Sequence, residues 1–202
     1  MKDWMQLHID ARLASLREQA KGVRDPSTED ETLQFLLCVA RMRQPERILE
    51  IGTAEGLTSV ALLCECKGAR LTTIEADEAR YLRAKQNFKD FCVADRANPI
   101  LGDAGEVLRS LEGRFDLIFL DGPKVQYIRY LPDCKRLLSK NGVLFADDVL
   151  LYGWVDGREE VPHKRRMLIE HIREYLRAVT QDEDLMTSIL EIGEGVALSV
   201  KR

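Results

Sequence analysis

The chain has 202 residues, 45% of them hydrophobic and 32% charged, with a formal net charge of −4. That length and balance describe one soluble globular domain able to bury a full core, and they exclude a low-complexity or fibrous chain. No apolar run approaches a membrane span, and a pI near 5.5 gives no global pull toward nucleic acid.

Met1-Lys2-Asp3-Trp4 carries an early acid and no apolar signal core, so no secretory peptide is expected. Residues Met5 to Gln19 place Leu7, Ile9, Leu13 and Leu16 at helical spacing, and this helix is expected to end near Gly22. Asp25-Pro26-Ser27-Thr28 reads as a loop, with Ser27 or Thr28 as the cap of a second helix to about Arg43. Its acids, Glu29, Asp30 and Glu31, fall in the first turn, where the helix dipole favours them.

Pro45 precedes a short apolar strand, Arg47 to Ile51. Gly52 and Gly56 then break the pattern, and an apolar helix resumes through Val60, Leu62 and Leu63. Such a strand, glycine turn and helix N-terminus lets a ligand approach the backbone and offers it unpaired N–H groups. A pyrophosphate-binding turn wants G-x-G-x-x-G, but here the glycines stand four apart and Ala54 fills the middle position. Glu50, inside the strand end, suits a cationic ligand better than a diphosphate.

Strands and helices alternate from there. Leu71–Glu75 is a strand, Asp77 to about Val93 a helix, Pro99–Gly102 a strand and Ala104–Leu111 a helix. Phe115–Asp121 is the most apolar strand, followed by a helix over Gln126–Ser139, an Asn141-Gly142 turn and a strand over Val143–Asp147. Pro162–Val179 is a helix, and Met186–Ile192 and Val196–Val200 form a hairpin about Gly193-Glu194-Gly195. The pattern predicts an α/β fold: a Rossmann-like, seven-stranded, mostly parallel sheet with an antiparallel last strand, helices on both faces and two extra N-terminal helices. One domain covers 1–202, with leading helices over 1–44 and the core over 45–202. The five cysteines are an odd number without zinc or redox spacing, which reads as reduced thiols in a cytoplasmic protein.

Ligands of an open α/β sheet bind beyond the carboxyl ends of its strands. The polar residues there are Glu50 and Gly52, Glu75, Asp103, Asp121, Asp147 and Asp148. Glu75 lies about twenty residues past the glycine turn, where an acid can accept from both ribose hydroxyls of NAD or of S-adenosylmethionine (SAM). Asp121, Asp147 and Asp148 converge from adjacent strand ends as a hard-oxygen site suited to Mg²⁺, Mn²⁺ or Ca²⁺. A hydride-transfer enzyme has no need of that site. Lys124, three residues after Asp121, can reach back toward it.

These residues give the sequence a resemblance to the cation-dependent O-methyltransferases, the class I SAM-dependent group that includes catechol and caffeoyl-CoA methyltransferases. It is carried by Leu49-Glu50-Ile51-Gly52-Thr53-Ala54-Glu55-Gly56, by Thr73-Ile74-Glu75, by Asp121-Gly122-Pro123-Lys124-Val125-Gln126-Tyr127 and by Phe145-Ala146-Asp147-Asp148-Val149. The resemblance implies that Asp121, Asp147 and Asp148 hold Mg²⁺ and that Lys124, with Asp121, serves catalysis. It implies that Glu50, Gly52, Gly56, Thr58, Glu75, Asp103, Ala104 and Asp121 surround SAM. Asp148 stands where the family usually has Asn, adding a third carboxylate.

Within the group the chain most resembles bacterial tRNA 5-hydroxyuridine methyltransferases, through Val149–Val155, Pro162-His163-Lys164-Arg165-Arg166 and Ile192–Ser199. That likeness implies methylation of the wobble 5-hydroxyl to 5-methoxyuridine, tRNA as partner, no membrane partner and a homodimer. Trp154, Arg158, Lys164, Arg165 and Arg166 then become candidate substrate contacts, because exposed aromatics stack bases and basic groups meet phosphates. A small catechol-like or hydroxycinnamoyl acceptor satisfies the same site chemistry, since it too presents two adjacent oxygens. A nicotinamide oxidoreductase and a non-catalytic SAM- or RNA-binding module are the competing classes.

Overall fold

A computed structural model describes residues 7–21 and 28–202 of the chain. The expected helix start at Met5, its end at Gly22 and the 25–27 loop with its Ser27 cap lie outside the described residues.

Seven strands form one sheet in the order β3-β2-β1-β4-β5-β7-β6. In chain order these are β1 (Arg47–Ile51), β2 (Arg70–Glu75), β3 (Ala97–Leu101), β4 (Phe115–Leu120), β5 (Leu138–Ala146), β6 (Leu185–Leu190) and β7 (Val196–Lys201). The first five pair parallel, while β7 runs antiparallel between β5 and β6. The helices are α1 (Ala11–Lys21), α2 (Asp30–Arg43), α3 (Leu57–Glu65), α4 (Glu78–Asp90), α5 (Ala104–Ser110), α6 (Tyr127–Leu137) and α7 (Arg166–Gln181).

The apolar runs Ile48-Leu49 in β1, Leu117–Leu120 in β4 and Val143–Ala146 in β5 follow from burial on both faces, as parallel strands under crossover helices require. Alternate residues go to opposite sides. Phe119 and Phe145 pack with α2 and α3 in one core, whereas Ile118, Leu120 and Leu144 pack with α6 and α7 in the other. The sheet is a filled partition, with buried Glu50 and Asp147 towards its carboxyl edge.

Three local expectations are corrected. The first helix begins at Ala11, so Leu7 and Ile9 precede it and pack against the core from outside any helix. Thr28 caps nothing: Glu29 precedes α2 without a side-chain cap, and the Thr28 hydroxyl turns instead to Thr58 and Asp121. Asn141-Gly142 is not a turn between elements. α6 runs straight into β5, and the positive φ of 59° at Asn141 is absorbed inside that strand, where the pairing with β4 slips between Phe115 and Leu117. An Asn-Gly pair reads as a turn because both residues tolerate positive φ. The same tolerance serves a bulge.

Candidate active site

A cavity of about 560 Å³ opens at the carboxyl ends of β1, β2, β4 and β5. Its walls include Gly52, Glu75, Asp103, Ala104, Asp121, Lys124, Asp147 and Asp148, so eight of the residues singled out in the sequence share one chamber. Glu29, Glu194, Thr28, Arg80, Tyr130, Leu151 and Tyr152 complete much of the rest. Among these lining residues seven are carboxylates and two are cations, which makes the chamber strongly acidic.

The β1–α3 turn forms its floor. Gly52 has φ +100°, and a Cβ there would stand 2.4 Å from the Asp121 carbonyl oxygen. Gly56 has φ +77°, and its missing Cβ is replaced by the Phe88 ring. The turn does not offer the expected row of unpaired N–H groups. Gly52 and Thr53 both donate to the Ile74 carbonyl, Ala54 donates to Glu75 Oε2 at 2.8 Å, and Gly56 donates to the Thr53 carbonyl. Glu75 thereby ties the turn to the start of α4, since its Oε1 accepts from Asp77 N–H at 2.9 Å.

Glu50 does not reach the cavity. It is fully buried beneath the turn, with Oε2 accepting from the Ser59 and Thr73 hydroxyls and Oε1 without a partner among the described residues. Burial pushes its carboxyl up to about 8, although the two hydroxyls work the other way. The folded chain therefore keeps a proton that the unfolded chain releases near 4.5. Stability from this group is complete below that point and is lost as pH rises toward 8. Glu50→Gln removes the dependence. Thermal melts of the ligand-free protein are expected to show near-equal midpoints at pH 5. The variant should lead increasingly to pH 8, by an amount on the order of a few kcal/mol.

Gly56 and Thr58 also lie outside the cavity walls, Gly56 against Phe88 and Thr58 behind Thr28.

Asp121 and Asp147 extend the parallel ladder one step past the strands. Asp121 N–H donates to the Ile51 carbonyl at 2.9 Å and Asp147 N–H to the Leu120 carbonyl at 3.0 Å. Tyr127, fully buried, lays its hydroxyl 2.9 Å from the Leu120 carbonyl and 3.1 Å from that of Asp147. It clamps the two strand ends that carry the acids.

The Lys124 ammonium lies 2.6 Å from Asp121 Oδ1 and 3.1 Å from Asp148 Oδ2. Burial works against its charge, but Asp121, Tyr127 and Asp148 outweigh that and hold it well above the ordinary lysine range. In this arrangement Lys124 is a fixed cation and not a ready base. Burial, with Asp121 and Asp148 alongside, pushes Asp147 up to about 8. Burial also raises Glu29, reinforced by Glu194 and Asp148.

The chemistry of this donor set fits a hard divalent ion: carboxylate oxygens, an excess of negative charge, and two acids already converging on one positive nitrogen. No three acid, His or Cys side chains among the described residues stand close enough to hold a metal as arranged, and Lys124 lies between Asp121 and Asp148.

The loop after Asp148 is fixed by the closing hairpin. Val149 N–H donates to the Gly195 carbonyl, while Leu150 and Leu151 N–H both donate to that of Glu194. Tyr152 N–H donates to the Glu194 carboxylate. Asp148, Leu151 and Tyr152 have φ of 56°, 40° and 56°, a run of left-handed conformations that this bonding sustains. Glu194 and the site role of Thr28 escaped sequence reasoning, Glu194 masked by the hairpin glycines and Thr28 by its resemblance to a helix cap. Tyr127 stood in the motif that carries the resemblance, but its clamp on the two strand ends was not foreseen.

The expected substrate residues divide. Tyr152, 61% exposed, lines the mouth and tilts against Trp154 at 4.8 Å. Trp154 packs on the core, its carbonyl held by Arg173. Arg158 pairs with Asp156 and Glu191. Lys164, Arg165 and Arg166 are exposed at the start of α7 and do not line the cavity.

The sequence profile of the O-methyltransferase family matches residues 10–202. The chain is 30% identical over 196 residues to an O-methyltransferase homologue of Mycobacterium avium, covering 95% of this chain and 86% of that one. It is 28% identical over 195 residues to the probable O-methyltransferase Rv1220c of Mycobacterium tuberculosis, covering 95% and 85%. Among solved structures it is similar to a candidate caffeoyl-CoA O-methyltransferase from Staphylococcus aureus, with TM-score 0.87, 28% identity and coverage of 96% and 93%. It is also similar to the SAH-bound methyltransferase PaMTH1 of Podospora anserina, with TM-score 0.86, 26% identity and coverage of 96% and 89%. A doubly wound sheet ending in an antiparallel strand, with its acids gathered under a glycine turn, matches that kinship along nearly the whole sequence: the chain belongs to the O-methyltransferase family.

Proposed function

We propose that the chain transfers the methyl group of SAM to a hydroxyl oxygen, assisted by a divalent cation. The observation that carries this reading is the acidic chamber beneath Gly52, with Asp121 at its centre. SAM bears a sulfonium and an ammonium, which suit an acid-lined cavity; a dinucleotide's pyrophosphate does not. Glu75, in the cavity wall, would accept from ribose hydroxyls, with Asp103 and Ala104 in the same wall.

Asp121, Asp147 and Asp148 would hold the cation, which when bound lowers the pKa of a chelated hydroxyl. Tyr127 keeps the strand ends in register, so that donor and acceptor meet in a fixed geometry. Lys124 supplies positive charge as the acceptor oxygen loses its proton.

For the acceptor we favour 5-hydroxyuridine in the tRNA anticodon loop. Tyr152 presents an exposed ring at the mouth, and Lys164, Arg165 and Arg166 have no ion-pair partner among the described residues. The second reading, a small catechol-like acceptor, is favoured by Glu29 and Glu194 at the same mouth, which repel phosphate. Labelled SAM with Mg²⁺ is offered to bulk tRNA lacking the modification and to a catechol panel. Label in tRNA supports the first reading, label in catechols the second. Full activity in excess chelator sinks the cation requirement.

Tyr127→Phe tests the clamp. Loss of one hydroxyl between two buried carbonyls is expected to lower kcat about 10-fold to 100-fold through misplacement. KM for SAM should change little. An unchanged kcat removes Tyr127 from positioning.

A further inference from the structure

We propose that the Lys124 ammonium and the divalent cation are alternative occupants of the same carboxylate oxygens, so that Lys124 sets the affinity of the site for its ion and withdraws when the ion is held. This rests on the cation-assisted reading above.

Lys124 holds one oxygen of Asp121 and one of Asp148. Asp121 Oδ2 accepts from the Thr28 hydroxyl at 3.3 Å, leaving Oδ1, which Lys124 holds at 2.6 Å. Asp148 offers Oδ2, which Lys124 holds at 3.1 Å. Asp147 Oδ1 accepts from Asp148 N–H at 2.8 Å. A metal approaching Asp121 Oδ1 and Asp148 Oδ2 meets oxygens that Lys124 already occupies. An ion at metal–oxygen distance from Asp121 Oδ1 and an ammonium on the same oxygen would lie within about 5 Å, where two positive charges repel strongly.

Displacement needs only side-chain rotation. Gln126 N–H donates to the Pro123 carbonyl at 2.8 Å and fixes the short 3-10 turn Lys124–Gln126, so the backbone need not move. The long stem has several staggered rotamers and an open cavity beside it. The third carboxylate at Asp148 acquires a role here: before the ion arrives, it and Asp121 share one internal cation and their repulsion is relieved.

The experiment titrates Mn²⁺ into the full chain and reads free ion by electron paramagnetic resonance, comparing wild type, Lys124→Met and Asp147→Asn. Lys124→Met is expected to bind Mn²⁺ at least 10-fold more tightly than wild type, and Asp147→Asn more weakly. In wild type, acylation of Lys124 by an amine reagent, read by mass spectrometry, is expected to rise several-fold on adding Mn²⁺. Equal or weaker binding by Lys124→Met overturns the exchange while leaving the cation site in place. Unchanged Lys124 acylation at saturating Mn²⁺ overturns it without recourse to a variant. No binding by wild type or Lys124→Met at millimolar ion overturns the cation reading and the exchange together.

Discussion

Asp121→Ala is expected to lower methyl transfer by about 10²- to 10³-fold, the range seen when a preorganised electrostatic group is removed from a reaction centre. No other side chain in the chamber joins as many parts of it. Its backbone N–H continues the β1–β4 ladder, its carboxylate binds Lys124 and Thr28, and its carbonyl lies under the Gly52 turn. Removing the carboxylate leaves Lys124 paired to Asp148 alone and takes away one of the three acids proposed to hold the cation. Initial rates with labelled SAM measure the loss, and calorimetry with SAM in the absence of metal separates it from donor binding. The reading requires kcat to collapse while SAM affinity changes far less. Asp121→Asn, which keeps the shape and removes the charge, should fall nearly as far. Undiminished turnover in either variant would take Asp121 out of the chemistry.

The frame of this site was legible because it depends on few residues with strong local signatures. β1 matches its predicted bounds, Arg47 to Ile51, since a five-residue apolar run between Pro45 and Gly52 leaves little freedom. The acids at the ends of β2, β4 and β5 followed from the rule that α/β sheets bind ligands at their carboxyl edge. What stayed hidden were properties of packing. Glu50 and Glu75 both sit near strand ends, yet Glu50 points into a polar pocket closed by Ser59 and Thr73, which no spacing reveals. The basic run at Lys164-Arg165-Arg166 looks continuous with Arg158 in sequence. In space Arg158 is neutralised by Asp156 and Glu191, whereas the other three remain on the surface. The hold of Glu194 on the 149–152 loop spans more than forty positions, and long-range backbone bonding of that kind has no sequence period.

Gly52→Ala is expected to be a strongly damaging single-methyl change. At φ +100° an L side chain is strained in any surroundings, at a cost of about 1–3 kcal/mol. The added Cβ would also stand 2.4 Å from the Asp121 carbonyl oxygen and 2.8 Å from its carbon, both backbone atoms that cannot rotate away. Overpacking of that kind adds about 1–3 kcal/mol. Together the two terms approach 4 kcal/mol, which lowers the melting midpoint by about 8–16 °C in a chain of this size. The site should suffer beyond the loss of stability. Relief of the clash pushes β1 and β4 apart at the point where Asp121 N–H bonds the Ile51 carbonyl, and this displaces Asp121 relative to Asp147. SAM and Mn²⁺ affinities are therefore expected to fall together in Gly52→Ala at a temperature where it is still folded. Gly68→Ala is the control, because a Cβ at Gly68 meets nothing within 4 Å. If Gly52→Ala melts and binds like Gly68→Ala, the close approach of the β1 turn to Asp121 does not hold the site together.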